Sequence, residues 1–384
     1  MPANKLILAS LIVAGCAPAL AADYRPVTCS SARPYIGLAL HSSFNEHLLP
    51  TTASISGELD AATIARLEAA ATRAFQASGA TAMTVAVSRP SVGTWSAVRS
   101  ASGSPPARFW WASAGKMLAA VTVLRLAEEG RLSLSESISR YVEGVPNGSA
   151  ITLEHLLTHT SGLFSANEDR RVRERARRLT SAEELEVLRR HGAMFCPGER
   201  WRYSNSGYSL LGMVIEKVQE RTFAEVTTDL VLTPIGAGSL RVLRPGEAAS
   251  DVARLASATS ESVVQPSWTG PAAPLVGLAE DMNRFLQATL TSNLIQPKTR
   301  SGRFARLYPM FDEGSFYGHG IMIYRPLGTN LYWIGHGGGS PGASAISIWS
   351  PREQAFVSVA LTGDGSAPAT ANLLLAALGS PTSR

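Results

Sequence analysis

Lysine is almost missing from this 384-residue chain: Lys5, Lys116, Lys217 and Lys298 stand against 31 arginines. Basic side chains number 35 against 30 acidic ones, so the formal charge is only +5, and no basic aromatic tract marks a nucleic-acid surface. Cysteine is equally sparse, with three residues, and there is no CxxC, no HExxH and no close Cys/His cluster. The motifs therefore offer no metal site, and no cofactor is expected. Past the N-terminal segment no apolar run approaches the length of a bilayer span, so no membrane-spanning helix is expected there. With 45% apolar and 17% charged residues, the chain is too apolar for disorder and long enough for one large domain or two lobes around a sizeable core.

Residues 1–21 read as an address label, a signal peptide. Lys5 precedes the apolar run 6–14, and Ala19-Leu20-Ala21 supplies a small-x-small cleavage pattern. The mature chain is expected to start near Ala22 and to be periplasmic or secreted. A competing reading takes Val13-Ala14-Gly15-Cys16 as a lipoprotein box, with a lipid anchor at Cys16. Either route leaves Cys29 and Cys196 in an oxidising compartment, where a disulfide and two unrelated buried thiols are both open readings.

Residues 22–59 carry Pro and Ser without clear periodicity and read as an extended leader, with the folded domain over 60–384. Ile64, Leu67, Ala71 and Phe75 mark one helix face, and 83–87 and 94–98 read as strands. Pro105-Pro106 breaks the chain ahead of a helix over about 113–129, stopped by Gly130. The middle is helical: Leu210, Leu211, Val214, Ile215 and Val218 stand at helical spacing, Thr222 with Glu225 makes a capping box, and 281–290 reads as another helix. Six arginines between 170 and 178 read as a solvated helix face. Strands return over 320–324, 330–334, 343–349 and 355–362, before a last helix over 370–378. This order predicts an α+β fold, an antiparallel sheet built from both chain ends and flanked by helices. Its α/β lobe covers about 60–125 and 315–384, with a helical lobe of about 126–314 inserted.

One of the rare lysines is placed for chemistry. Ser113 and Lys116 are three residues apart at a helix start and share a face. The helix N-terminus favours an alkoxide on Ser113 and disfavours a second positive charge on Lys116. A serine beside such a lysine is an activated nucleophile. In a chain that otherwise uses arginine, a lysine here points to a group able to lose its proton, which arginine cannot do. Tyr203-Ser204-Asn205 sits at a loop-to-helix junction. His336-Gly337-Gly338 follows a strand ending at 334, and its glycines let a backbone edge approach a ligand.

Taken together and in this order, SAGK (113–116), YSN (203–205) and HGG (336–338) resemble the motifs of the serine β-lactamase and D-alanyl-D-alanine carboxypeptidase superfamily, in particular its class C and esterase-like branch. The stretches 128–132, 156–163 and 317–320 resemble its framework, and the resemblance covers roughly 60–378. It implies a β-lactamase/transpeptidase-like fold and a serine hydrolase that acts on a small-molecule ester, amide or peptide through an acyl-enzyme. By the resemblance Ser113 attacks a carbonyl, and Lys116 with Tyr203 removes its proton and returns one to the leaving group. Asn205 would hold the substrate's amide or acyl side chain, and His336 would support Tyr203. The backbone N–H groups of Ser113 and Gly339 would bind the oxyanion, with Gly338 beside them in the substrate cleft.

Departures from the family pattern bear on substrate. Its β-lactamases generally carry KTG or KSG, whereas Gly337 lacks the hydroxyl and His336 is mostly neutral at pH 7. Esters and D-amino-acid peptides or amides therefore rank first. A β-lactamase or D-Ala-D-Ala carboxypeptidase, and a non-hydrolytic penicillin-binding or sensor module, are the alternatives. Residues 338–342 satisfy G-x-S-x-G and 336–339 look like a lipase HGGG, but the two overlap and Pro341-Gly342 leads into a strand, which argues against an α/β-hydrolase elbow. His159 is expected to have a structural hydrogen-bonding role.

Overall fold

The computed structural model describes residues 24–41, 44–51, 55–174, 177–258, 265–291, 294–310, 314–325 and 332–379. The expected signal segment, the Ala22 boundary, Cys16 and Arg175 lie outside the described residues. In chain order the strands are β1 (Ala80–Arg89), β2 (Gly93–Ser100), β3 (Phe109–Trp110), β4 (Arg241–Val242), β5 (Leu275–Gly277), β6 (Tyr308–Pro309), β7 (Ser315–Tyr317), β8 (Met322–Tyr324), β9 (Trp333–Ser340), β10 (Ala343–Ser350) and β11 (Ala355–Gly363). Both chain ends feed one antiparallel sheet in the order β2-β1-β11-β10-β9-β8-β7-β6, and β3, β5 and β4 make a small second sheet. This is the α+β, β-lactamase/transpeptidase-like architecture that the motifs imply.

Next to the β2 edge, β1 pairs with β11, in register from Ala82↔Thr362 to Ser88↔Phe356. Helices cover both faces there, so β1 and β11 read as near-continuous apolar runs. On one face lie the helices Ala61–Ser78 and Ala367–Leu378, whose Leu67 and Leu374 pack on Val85 and Val357. Asp60 caps the first of these by accepting from the Thr63 N–H, and Gly79, at φ +68°, ends it. The other face carries Ala279–Leu290 and, towards the middle of the molecule, Lys116–Glu128. Ten of the thirteen residues of Lys116–Glu128 are buried, as a helix enclosed on all sides requires.

Two local expectations are corrected. The helix expected from 113 begins at Lys116; Ser113 lies in a 3₁₀ turn, Ala112–Gly115, ahead of it. The strand expected over 330–334 is described from Trp333 and does not stop at 334: β9 runs through His336, Gly337 and Gly338 to Ser340, paired along this length with β10. The G-x-S-x-G look-alike is the β9–β10 hairpin turn, with Gly342 at φ +80°. Of the arginine run, Arg170, Arg171, Arg173 and Arg177 are exposed, while Arg178 is half-buried.

The chain ahead of Asp60 is bound to the body. Backbone bonds run from Val27 N–H to the Ala193 carbonyl, Arg33 to Pro197, Ile36 to Glu199 and His41 to Leu307. A disulfide joins Cys29 to Cys196 across a separation of 167 residues, which answers the question the sequence leaves open. The leader is thus a strap fastened to the segment that leads into Tyr203. Among the described residues no helix is long and apolar enough to cross a membrane.

Candidate active site

The turn that carries Ser113 is held in an unusual backbone state. Trp111 is buried and its N–H donates to the Leu275 carbonyl, and Ala112 follows at φ +46°. Left-handed backbone costs a residue with a Cβ about 1–2 kcal/mol, so packing on both sides must impose it. The result lifts Ser113 to the surface of an otherwise buried turn, half-exposed between buried Ala112 and Ala114.

Lys116 is fully buried, and Nζ faces three acceptors: Asn205 Oδ1 at 2.6 Å, the Ala272 carbonyl at 2.7 Å and Ser113 Oγ at 3.3 Å. Three helical or near-helical segments converge on this one nitrogen. Asn205 opens the helix Asn205–Gln219, and its side chain is itself fixed, with Nδ2 donating to Asn167 Oδ1 at 2.9 Å. The Asn205 N–H donates to Ser165 Oγ at 2.9 Å. Tyr203 precedes that helix, and Lys116 Nζ lies 4.8 Å from its ring centroid. Ser113, Lys116, Tyr203 and Asn205 therefore meet in one place, as the three motifs suggest.

His159 packs against this group. It sits at φ +60°, its Nδ1 accepts from the Ser204 N–H at 3.2 Å, and its ring packs on Tyr203 with centroids 4.2 Å apart. Burial and the neighbouring Lys116 charge hold its pKa well below the ordinary imidazole value, so Nδ1 stays an acceptor.

His336 is also fully buried, and burial together with Lys116 pushes its pKa down to about 3. Its Nδ1 donates to the Gly337 carbonyl at 2.5 Å, and Nε2 lies 3.1 Å from the Tyr317 hydroxyl. That hydroxyl is 3.2 Å from Tyr208 Oη, which donates to the Leu157 carbonyl. The expected support of Tyr203 by His336 is therefore indirect: both ring nitrogens are engaged elsewhere, and Tyr317 lies between, its ring 6.3 Å from that of Tyr203.

The edge of β9 completes the site. β8 pairs with β9 only up to Gly335, so beyond that residue no strand covers this edge among the described residues. A Cβ on Gly338 would lie 2.5 Å from the Ser113 nitrogen and 2.8 Å from the Trp111 carbonyl oxygen, so the approach to the Ser113 turn demands glycine. The Gly337 N–H points off the open edge, where it donates to Tyr324 Oη at 3.1 Å. Backbone direction alternates along a strand, so the Gly339 N–H, two residues on, points off the same edge.

Asn167, Ser165, the Ala272 carbonyl, Tyr208 and Tyr324 are the participants that motif reasoning does not reach. A backbone carbonyl carries no sequence signal, and Ser165 and Asn167 sit in an ordinary loop composition just past the 156–163 framework stretch.

Fold and motif residues together place the chain with proteins of the β-lactamase type. The family model described as Beta-lactamase matches residues 65–379, and the chain belongs to that family. Penicillin-binding protein 4* of Bacillus subtilis (strain 168) is 27% identical over 265 residues, which is 62% of this chain and 57% of that relative. This chain thus matches little more than half the length of that protein. Among solved structures, a D-stereospecific amidohydrolase from Streptomyces sp. is 25% identical with a TM-score of 0.69, covering 81% of this chain and 97% of the other. A D-amino acid amidase from Ochrobactrum anthropi SV3 shares the fold with a TM-score of 0.70 at 21% identity, over 83% of this chain and 98% of the other.

Proposed function

We propose that the protein is an exported hydrolase that cleaves esters or D-amino-acid amides and peptides through an acyl-enzyme on Ser113. The observation that carries this reading is the set of three acceptors around Lys116 Nζ. When the buried lysine gives up its proton, two N–H groups of the neutral amine keep the Asn205 and Ala272 oxygens, and the lone pair faces Ser113 Oγ. Once the serine proton has moved across, the ammonium has three donors for the same three partners. The transfer needs no side chain to leave its place, and Ser113 Oγ is left to form the new bond to the carbonyl carbon.

The negative charge then forming on the substrate oxygen lies between the Ser113 and Gly339 N–H groups, preorganised donors of the kind that lower barriers by a few kcal/mol. Tyr203, against Lys116, takes part in passing the proton to the departing oxygen or nitrogen. Water attacks the ester on Ser113 and releases the acid. A β-lactam substrate ranks lower, because a neutral His336 and Gly337 give a carboxylate neither a cation nor a side-chain hydroxyl. Export is supported by the N-terminal apolar run and by the Cys29–Cys196 disulfide, which suits an oxidising compartment. The similarity to a D-stereospecific amidohydrolase at 25% identity supports the substrate class.

The test is hydrolysis of p-nitrophenyl acetate and butyrate, a D-Ala-D-Ala peptide, a D-amino-acid amide and nitrocefin by the wild type and Ser113→Ala. Turnover of esters or D-amino-acid compounds that disappears in the variant is expected. Nitrocefin turnover far above the rest reverses the substrate order.

A further inference from the structure

The missing side chain at Gly337 has a neighbour in its place. A Cβ on Gly337 would lie 2.9 Å from Tyr324 Oη, so the phenol fills the space into which a side chain at this position would grow. That hydroxyl accepts from the Gly337 N–H at 3.1 Å, and its own proton points to Met322 Sδ at 2.8 Å. A thioether is a weak acceptor, so a carbonyl oxygen arriving at the edge of β9 is a better partner for the same proton. Gly337 and Gly339 are two residues apart, about 6.6 Å along the strand. One residue of chain beyond the scissile carbonyl, about 3.5 Å, plus one hydrogen bond of about 2.9 Å covers that interval.

The charge around this point is low. His336 is neutral and turned towards Tyr317, and Lys116 Nζ is directed at Asn205, Ala272 and Ser113. Resting on the acyl-enzyme reading above, we propose that Tyr324 is a specificity-determining residue. Reaching in from β8, it supplies the hydroxyl that Gly337 lacks and donates to an uncharged carbonyl one residue into the leaving group. The enzyme then favours leaving groups that carry an amide over those that carry a free carboxylate.

The experiment uses three esters of N-acetyl-D-alanine that differ only in the alcohol: D-lactamide, D-lactate and isopropanol. The wild type is expected to show its highest kcat/KM on the lactamide ester. In Tyr324→Phe the ratio of lactamide to isopropyl kcat/KM is expected to fall roughly threefold to tenfold, the size of one neutral hydrogen bond, with the loss in KM. Adding Gly337→Ser to Tyr324→Phe puts a hydroxyl back where the phenol oxygen has been removed and is expected to raise the ratio again. An unchanged ratio in Tyr324→Phe overturns the proposal, as does a wild type that prefers the lactate ester, or a folded double variant in which the ratio stays low. In each of these cases the esters are still cleaved through Ser113, so only the role of Tyr324 fails. Cleavage that survives Ser113→Ala overturns the acyl-enzyme reading and this proposal with it.

Discussion

Lys116 Nζ stands 2.6 Å from Asn205 Oδ1, closer than the 3.3 Å that separates it from the serine it serves. The lysine is thus aimed by an amide whose other end is held by Asn167. Asn205→Ala leaves a buried donor without its nearest acceptor, a loss of about 1.5–3 kcal/mol for a bond to a charged group. A fall in kcat of roughly tenfold to a hundredfold is expected. Asn205→Asp places a carboxylate against Nζ and holds the proton on the lysine. Steady-state kinetics is expected to show a larger loss in this variant, while its melting temperature stays at or above that of Asn205→Ala.

Gly338→Ala tests the approach of β9 to the Ser113 turn. The added carbon has to displace the Ser113 nitrogen or the Trp111 carbonyl, both of them backbone. The two N–H groups that face the oxyanion then move apart. Loss of at least about a hundredfold in kcat, the effect of removing one oxyanion donor, is the expected result in an ester assay.

The Cys29–Cys196 disulfide closes a long loop and fastens the strap to the segment entering Tyr203. Cys29→Ser is expected to lower unfolding free energy by roughly 2–5 kcal/mol, measured by urea titration. Treating the wild type with a reductant should give a comparable drop, and the Cys29→Ser protein should no longer respond to it.

Two buried histidines give stability a defined pH dependence. His336 has a folded pKa of about 3 against an ordinary 6.5, and His159 is lowered in the same sense. As pH falls below about 6.5 the unfolded chain binds protons that the folded chain refuses. Stability is therefore full above that pH and declines towards about 3, by about 1.4 kcal/mol per pH unit for His336, with His159 adding in the same direction. Urea unfolding between pH 7 and about 4 should show this slope, and His336→Gln should make it shallower by about one proton.

Much of the candidate catalytic group is legible in the chain because it depends on short-range spacing. Ser113 and Lys116 sit one turn apart whether the turn is α or 3₁₀, so the misplaced helix start does not disturb the pairing. The place of the glycines at 337 and 338 within a strand is less legible, for the opposite reason. Glycine reads as a turn, whereas here it lies inside β9, and for Gly338 the cause is the backbone of a segment more than two hundred residues earlier. The positive φ of Ala112 leaves no trace in composition, since alanine does not favour that state and only tertiary packing imposes it. Asn167, the Ala272 carbonyl and Tyr324 are brought in by long-range contacts, which periodicity and motif order do not encode.

The most direct test is a mass measurement. Wild-type protein mixed with a p-nitrophenyl ester and quenched in acid within the first turnovers should gain the mass of one acyl group, located by peptide mapping on Ser113, and Ser113→Ala should gain none. A wild type that turns the ester over with no adduct on Ser113, beside an equally active Ser113→Ala, would contradict the acyl-enzyme.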